Sequence, residues 1–155
     1  MNITPEQLQI LFPRAVQWVE DMEREILEKG IPLNAGQMQD AKNAGVQNPE
    51  KVRLLYRKIP MPTDPELAIA ARETNLISPN TGGMTFRYGI IIRPDCQADR
   101  GLLLHELTHT GQYERFGGIP EFLKPYIHEC VTPPGYPNGP MEKEAISTAA
   151  RLVGM

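Results

Sequence analysis

Cysteine is almost absent from this chain. Cys96 and Cys130 are its only two, and they form neither a CxxC spacing nor the pattern of a disulfide framework. Two free thiols in a reducing compartment are therefore expected. Long apolar runs are missing as well: nothing approaches the roughly 20 residues that span a bilayer, so no membrane segment is expected. The opening residues, MNITPEQLQILFPRAV, lack the basic start, apolar core and small-residue cleavage site of a secretory leader, and a cytoplasmic protein is the expectation. Basic residues form no long run and the formal net charge is −3. Phosphate binding needs a concentrated positive patch, so nucleic acid is not expected among the partners. There is no internal repeat and no low-complexity tract.

What is present is a globular composition, 41% hydrophobic and 23% charged over 155 residues, which suits a single domain rather than two. A chain of this size buries roughly two-thirds of the surface its unfolded form exposes and needs no staples. Thr4 and Pro5 make a helix start with Gln7 placed for a capping box. Pro13 is expected to interrupt, leaving a short first turn and then a helix from about Pro13 to Lys29, with Val16, Val19, Met22 and Ile26 on one face. A second short helix is read at 35–43. Strands are read at 51–59 (KVRLLYRKI) and 84–93 (MTFRYGIIIR), with an alanine-rich helix capped by Asp64 at 65–74 between them. From Asp99 a helix runs through HELTHTGQYERF to the stop Gly117-Gly118. A short helix at 121–130, a Pro/Gly loop and a last helix at 141–152 complete an α+β order.

Histidine is scarce, three in all, and two of them fall in His105-Glu106-Leu107-Thr108-His109. Four residues apart on a helix, His105 and His109 lie one above the other and can present ring nitrogens to one ion. Glu106 is rotated from them by about a quarter turn or a little more, beside the position a water would take rather than on the metal. Neutral imidazoles as ligands and a carboxylate as proton shuttle are what zinc-assisted hydrolysis requires. Leu102, Leu103, Leu104 and Leu107 supply the apolar backing of such a helix. A catalytic zinc takes a third protein ligand. The metzincin arrangement is excluded, because it needs Gly and His where this chain has Gln112 and Arg115. Glu142, Glu144 and His128 remain.

With Glu142-Lys143-Glu144-Ala145 following the loop, the chain resembles the gluzincin metallopeptidases over roughly 99–151, and in architecture over the strand 84–93. The resemblance implies a zincin-like fold: a short mixed sheet, an edge strand packed on the HExxH helix and a mostly helical C-terminal part. It implies Zn2+ as the metal, Glu142 as the ligand with Glu144 its neighbour, and peptide-bond hydrolysis with Glu106 as general base and acid. It also implies an extended peptide or protein substrate paired with the strand before that helix, where Arg87, Tyr88 and Gly89 are the candidates. One departure stands out: an acid often lies four residues beyond the ligand glutamate, and here that position is Ile146. His128 would instead fit the downstream third histidine of SprT-type metalloproteases. Tyr126 and Tyr136, between the metal helices, are candidate oxyanion donors. Gln112 and Tyr113 are read as packing or supporting residues; Cys96, nine residues before His105, could be imagined as a thiolate blocking the zinc, but a free thiol is the reading kept. On this reading residues 49–155 are the metal-site scaffold. The helical region 1–48 is dispensable to it and covers either the back of the domain or the cleft. Two other functions stay open: a zinc-binding interaction domain without catalysis, and a zinc hydrolase of a non-peptide amide.

Overall fold

The computed structural model describes residues 3–155, so the first two residues of the expected domain lie outside it. The expected capping box is there: Thr4 Oγ1 accepts from Gln7 N–H, and Gln7 Oε1 accepts from Thr4 N–H. From it, helix α1 (Pro5–Lys29) runs unbroken through Pro13, which corrects the expected interruption. A proline removes one ladder hydrogen bond. Pro13 and Gln9, whose carbonyl it frees, are both exposed, while Leu11, Val19, Met22 and Ile26 anchor the helix on its other side.

Strand β1 (Ile31–Pro32) is followed by helix α2 (Ala35–Asn43), strand β2 (Arg53–Tyr56) and helix α3 (Pro65–Glu73). The expected strand at 51–59 is shorter at both ends, because Pro49–Lys51 forms a single 3-10 turn and pairing ends at Tyr56. The expected long strand at 84–93 is instead a hairpin, β3 (Gly83–Phe86) and β4 (Gly89–Ile92), with Phe86 opposite Gly89 and Arg87-Tyr88 as the turn. Arg87 takes φ 61°, a left-handed conformation unusual for a residue with a Cβ. Glu23 of α1 holds it there, accepting from Arg87 Nε and Nη2 at 2.8 Å each and from Tyr88 N–H at 3.0 Å. Helices α4 (Arg100–Phe116), α5 (Ile119–Val131) and α6 (Pro140–Val153) follow.

The described residues thus form an α+β fold of six helices and a mixed four-stranded sheet in the order β1-β2-β4-β3. β2 and β4 are parallel, the two outer pairs antiparallel, and β3 is an edge strand. Successive residues of β4 point to opposite faces. Ile90 and Ile92 pack with Leu104 and Leu107 of α4 and with Ala149 and Leu152 of α6. Ile91 packs on the other side with Val19, Met22 and Ile26 of α1 and Phe122 of α5. Helices therefore cover both faces. No described helix is long and apolar enough to cross a membrane.

Candidate metal centre

Helix α4 starts where expected: Asp99 accepts from Leu102 N–H, and Gly117 ends the helix in the left-handed region at φ 104°. Leu104 and Leu107 face the sheet and are fully buried, which turns His105 and His109 toward α6. Ala145, with no exposed surface, and Ala149 let α6 approach α4 closely. That approach carries Glu142, in the first turn of α6, to both imidazoles. Its Oε1 lies 3.1 Å from His105 Nε2 and its Oε2 2.5 Å from His109 Nε2. Donor atoms of His105, His109 and Glu142 all lie within 4.8 Å of one another.

The electrostatics match that crowding. Burial alone would push the Glu142 carboxyl up, but its bonds to His105 and His109 and their charge outweigh this and hold it well below the usual carboxylate range. Burial likewise pulls the His109 imidazole down, and the contacts with Glu142 more than reverse it. Two imidazole nitrogens facing one buried carboxylate call for positive charge between them. Around a tetrahedral zinc, neighbouring donors are roughly 3.3 Å apart; His105 and Glu142 stand near that spacing and His109 and Glu142 closer than it, so this His2Glu set fits such an ion in donor chemistry, with His109 and Glu142 parting to admit it.

A second set of contacts orients the first. Gln112 gives its amide N–H groups to Met141 O at 3.0 Å and to Glu144 Oε1 at 2.9 Å. Its carbonyl oxygen therefore faces His109 Nδ1 at 2.7 Å, so that nitrogen carries the proton and Nε2 is the one left for an ion. Glu144 also accepts from Arg115 at 2.8 Å. It serves the site through Gln112, which does the orienting that an acid at the Ile146 position would do. Tyr126 donates to Glu142 Oε2 at 2.9 Å and is thereby committed to the carboxylate, not free for an oxyanion.

Glu106 is buried beside the histidines, and its Oε1 accepts a 2.7 Å bond from Thr85 Oγ1 of β3. A Cβ on Gly83 would come within 3.1 Å of Glu106 Cγ, so glycine is what lets the edge strand lie against the helix here. A groove of about 490 Å³ opens over this cluster, lined by Gly82, Gly83, His105, Glu106, Tyr136 and Glu142 among others. Burial and then the Glu142 charge push the Tyr136 hydroxyl up, so it stays a proton donor.

Other expected participants lie elsewhere. His128 is exposed on α5 and outside the cluster. Cys96 sits near Gly82 and Asp95, outside the cluster too; Cys130, also unpaired, is pushed up to about 12 by burial and the Glu142 charge. Arg87 and Tyr88 form the hairpin turn and Gly89 lies in a strand paired on both sides, so the open edge is Gly83–Phe86. α1 packs on the sheet face away from α4 and lines none of the groove, although its Val19 lines the narrower recess beside His105, Glu106 and His109. Thr85 carries no motif. Its only sequence signal is a lone polar side chain between Met84 and Phe86. No protein-family model, curated protein or solved structure matches this chain.

Proposed function

We propose that this chain is a zinc-dependent peptide hydrolase with a gluzincin-like, zincin-type centre, holding the ion with His105, His109 and Glu142. The observation that carries the reading is the convergence of those three donors beside a buried, anchored Glu106. Zinc in such a site supplies Lewis acidity and makes a water nucleophilic near neutral pH. Thr85 fixes the Glu106 carboxylate through Oε1, leaving Oε2 to take the water's proton and later give it to the departing amine. Tyr136 donates its hydroxyl to the oxygen that gains charge as the amide is attacked.

The substrate in this reading is an extended peptide laid along β3. Arg93 N–H donates to Gly82 O at 2.8 Å, and an antiparallel ladder alternates, so Gly83 and Thr85 turn their main-chain groups to the open edge. Tyr113 takes the Thr85 carbonyl, and the Gly83 rung is left for a peptide. A cytoplasmic location belongs to the same reading, supported by the two unpaired thiols. Glu106→Gln is the test. It should keep about one equivalent of zinc and lose hydrolysis by roughly 10²- to 10⁴-fold, the contribution of a positioned base. Hydrolysis at the wild-type rate in that variant overturns the mechanism.

A further inference from the structure

The groove over Glu106 leads away from the candidate metal centre in one direction only. Its floor is α4, with α6 as one wall and residues 80–83 as the other. Those residues lie close: a Cβ on Gly82 would come within 3.1 Å of Leu102, as one on Gly83 would with Glu106. α4 and α6 run antiparallel, since His105 meets Glu142 at one end and Arg100 donates to Val153 O at 3.2 Å at the other. The α6 wall follows from Glu142 through Ile146 and Ala150 to Val153. That is three turns of helix, roughly 16 Å. At about 3.3 Å per extended residue, such a trough takes four or five residues of a peptide.

Past the centre the way is closed. Phe122 and Tyr126 of α5 stand over His109, with ring centroids 6.3 and 5.7 Å from the imidazole and 5.0 Å from each other. They line the narrow recess beside Glu106 and none of the open groove. That recess holds about 90 Å³. A cavity of roughly 150 Å³ takes one benzene-sized molecule, so the recess admits the end of a chain and not its continuation. The edge of β3 agrees. Gly83 lines the groove, whereas Thr85 lines only the recess and its carbonyl is taken by Tyr113.

Strand direction then decides which chain end enters. β3 runs from the groove at Gly83 toward the recess at Thr85. A strand added antiparallel to it, the commoner and slightly more stable arrangement, puts its N-terminus in the recess and its C-terminus down the groove. Charge favours the same direction. Among the described residues no Arg or Lys lines either space, and a carboxylate buried in the recess would have no side-chain cation to pair with. The geometry points to an aminopeptidase mode of action, in which the chain end with a free amine fills the recess. Each turnover adds water across the first peptide bond, releasing one amino acid and a chain shorter by one residue with a new free amine. The inference rests on the peptide-hydrolase reading above and adds which bond of the peptide is cut.

The test uses hexapeptides of alternating serine and alanine, each with a free or acetylated N-terminus and a free or amidated C-terminus. Calorimetry on the full-length, zinc-loaded Glu106→Gln variant should show the free-amine peptides binding about tenfold tighter than the acetylated ones, the scale of one charge-assisted hydrogen bond. The C-terminal group should make no such difference. Mass spectrometry with the wild type should show residues leaving one at a time from the amine end. Ala150→Trp, which narrows the groove from an exposed position on α6, should weaken binding of the amidated hexapeptide more than that of the amidated dipeptide. Equal binding, or no binding, of the free-amine and acetylated peptides overturns the inference, as does a requirement for the free carboxylate. Cleavage separates the two ideas. Amine-selective binding without cleavage retains the one-sided groove and sinks the hydrolase reading, whereas cleavage of acetylated peptides at interior bonds does the reverse.

Discussion

A single amide decides how His109 presents itself. Gln112 spends its N–H groups on Met141 O and Glu144, so only its oxygen is left for the imidazole. A neutral oxygen polarises the ring less than a carboxylate would, but it fixes the same tautomer. Gln112→Ala should weaken zinc binding by roughly 10- to 100-fold, the usual cost of losing a partner behind a metal ligand. Competition with a chromophoric chelator measures this, and unchanged affinity would show that the tautomer is set otherwise. Thr85→Val removes the bond that aims Glu106 while conserving shape. About 1.4 kcal/mol lost from a charge-assisted bond is a tenfold fall in kcat, and zinc content should not change. Proton linkage has a definite sign here. His109 is raised and Glu142 lowered, each favouring the charged form beside the other, so an ion at this site competes with a proton for the imidazole. Zinc affinity should therefore rise with pH through and above the ordinary histidine value of about 6.5, and an affinity flat over that range would contradict the ligand set.

At the scale of elements, the β3–β4 hairpin is where sequence and structure part most clearly. Met84 to Arg93 is apolar at nearly every second place, and the pattern reads as one strand because its turn lacks the Gly or Asn that marks tight hairpins. Arg87 adopts positive φ only because Glu23, far away in sequence and 5% exposed, pairs with it and with the Tyr88 amide. A tertiary contact has replaced local turn chemistry, and no local pattern reveals that. The HELTH helix is the opposite case. Its cap at Asp99, its stop at Gly117 and its ligand spacing are all local, so all were legible. Glu142 was legible only through a resemblance, and Gln112 only as a supporting residue, because the contact of α4 with α6 decides both. Glu23→Ala should cost about 2 kcal/mol, the scale of lost charge-assisted hydrogen bonds, read as a lower urea midpoint at unchanged slope. Stability equal to wild type would mean that the turn holds itself.

At the scale of the whole molecule, the helical region 1–48 and the segment 49–155 are packed together. Helix patterns before residue 49 and metal motifs after it invite a split into appendage and scaffold, yet both halves share the core. Ile26 of α1 has no exposed surface and packs with Phe86 and Ile91. A Cβ on Gly89 would meet Ile26 Cβ at 2.9 Å, so the central strand and α1 are fitted to each other. Further along, Gln47 and Asn48 main-chain amides donate to Glu114 of α4 at 2.7 and 3.0 Å, tying the connection to the helix of His105 and His109 itself. Removing residues 1–30 would bare Phe86, Ile91, Tyr113 and Phe122 together. Val19, Met22 and Ile26 would be lost with them, each worth roughly 1.5–3 kcal/mol when fully buried. Their sum rivals the whole net stability of about 5–15 kcal/mol expected of a domain. Tyr113 and Phe122 stack at 3.8 Å, and Tyr126, which holds Glu142, stacks on Phe122 at 5.0 Å. Loss of α1 therefore propagates to Glu142 of the candidate metal centre. The fragment 31–155 should show collapsed near-ultraviolet dichroism and bind zinc far more weakly than the full chain. A cooperatively unfolding fragment with one tightly bound zinc would establish instead that the metal helices and sheet stand alone.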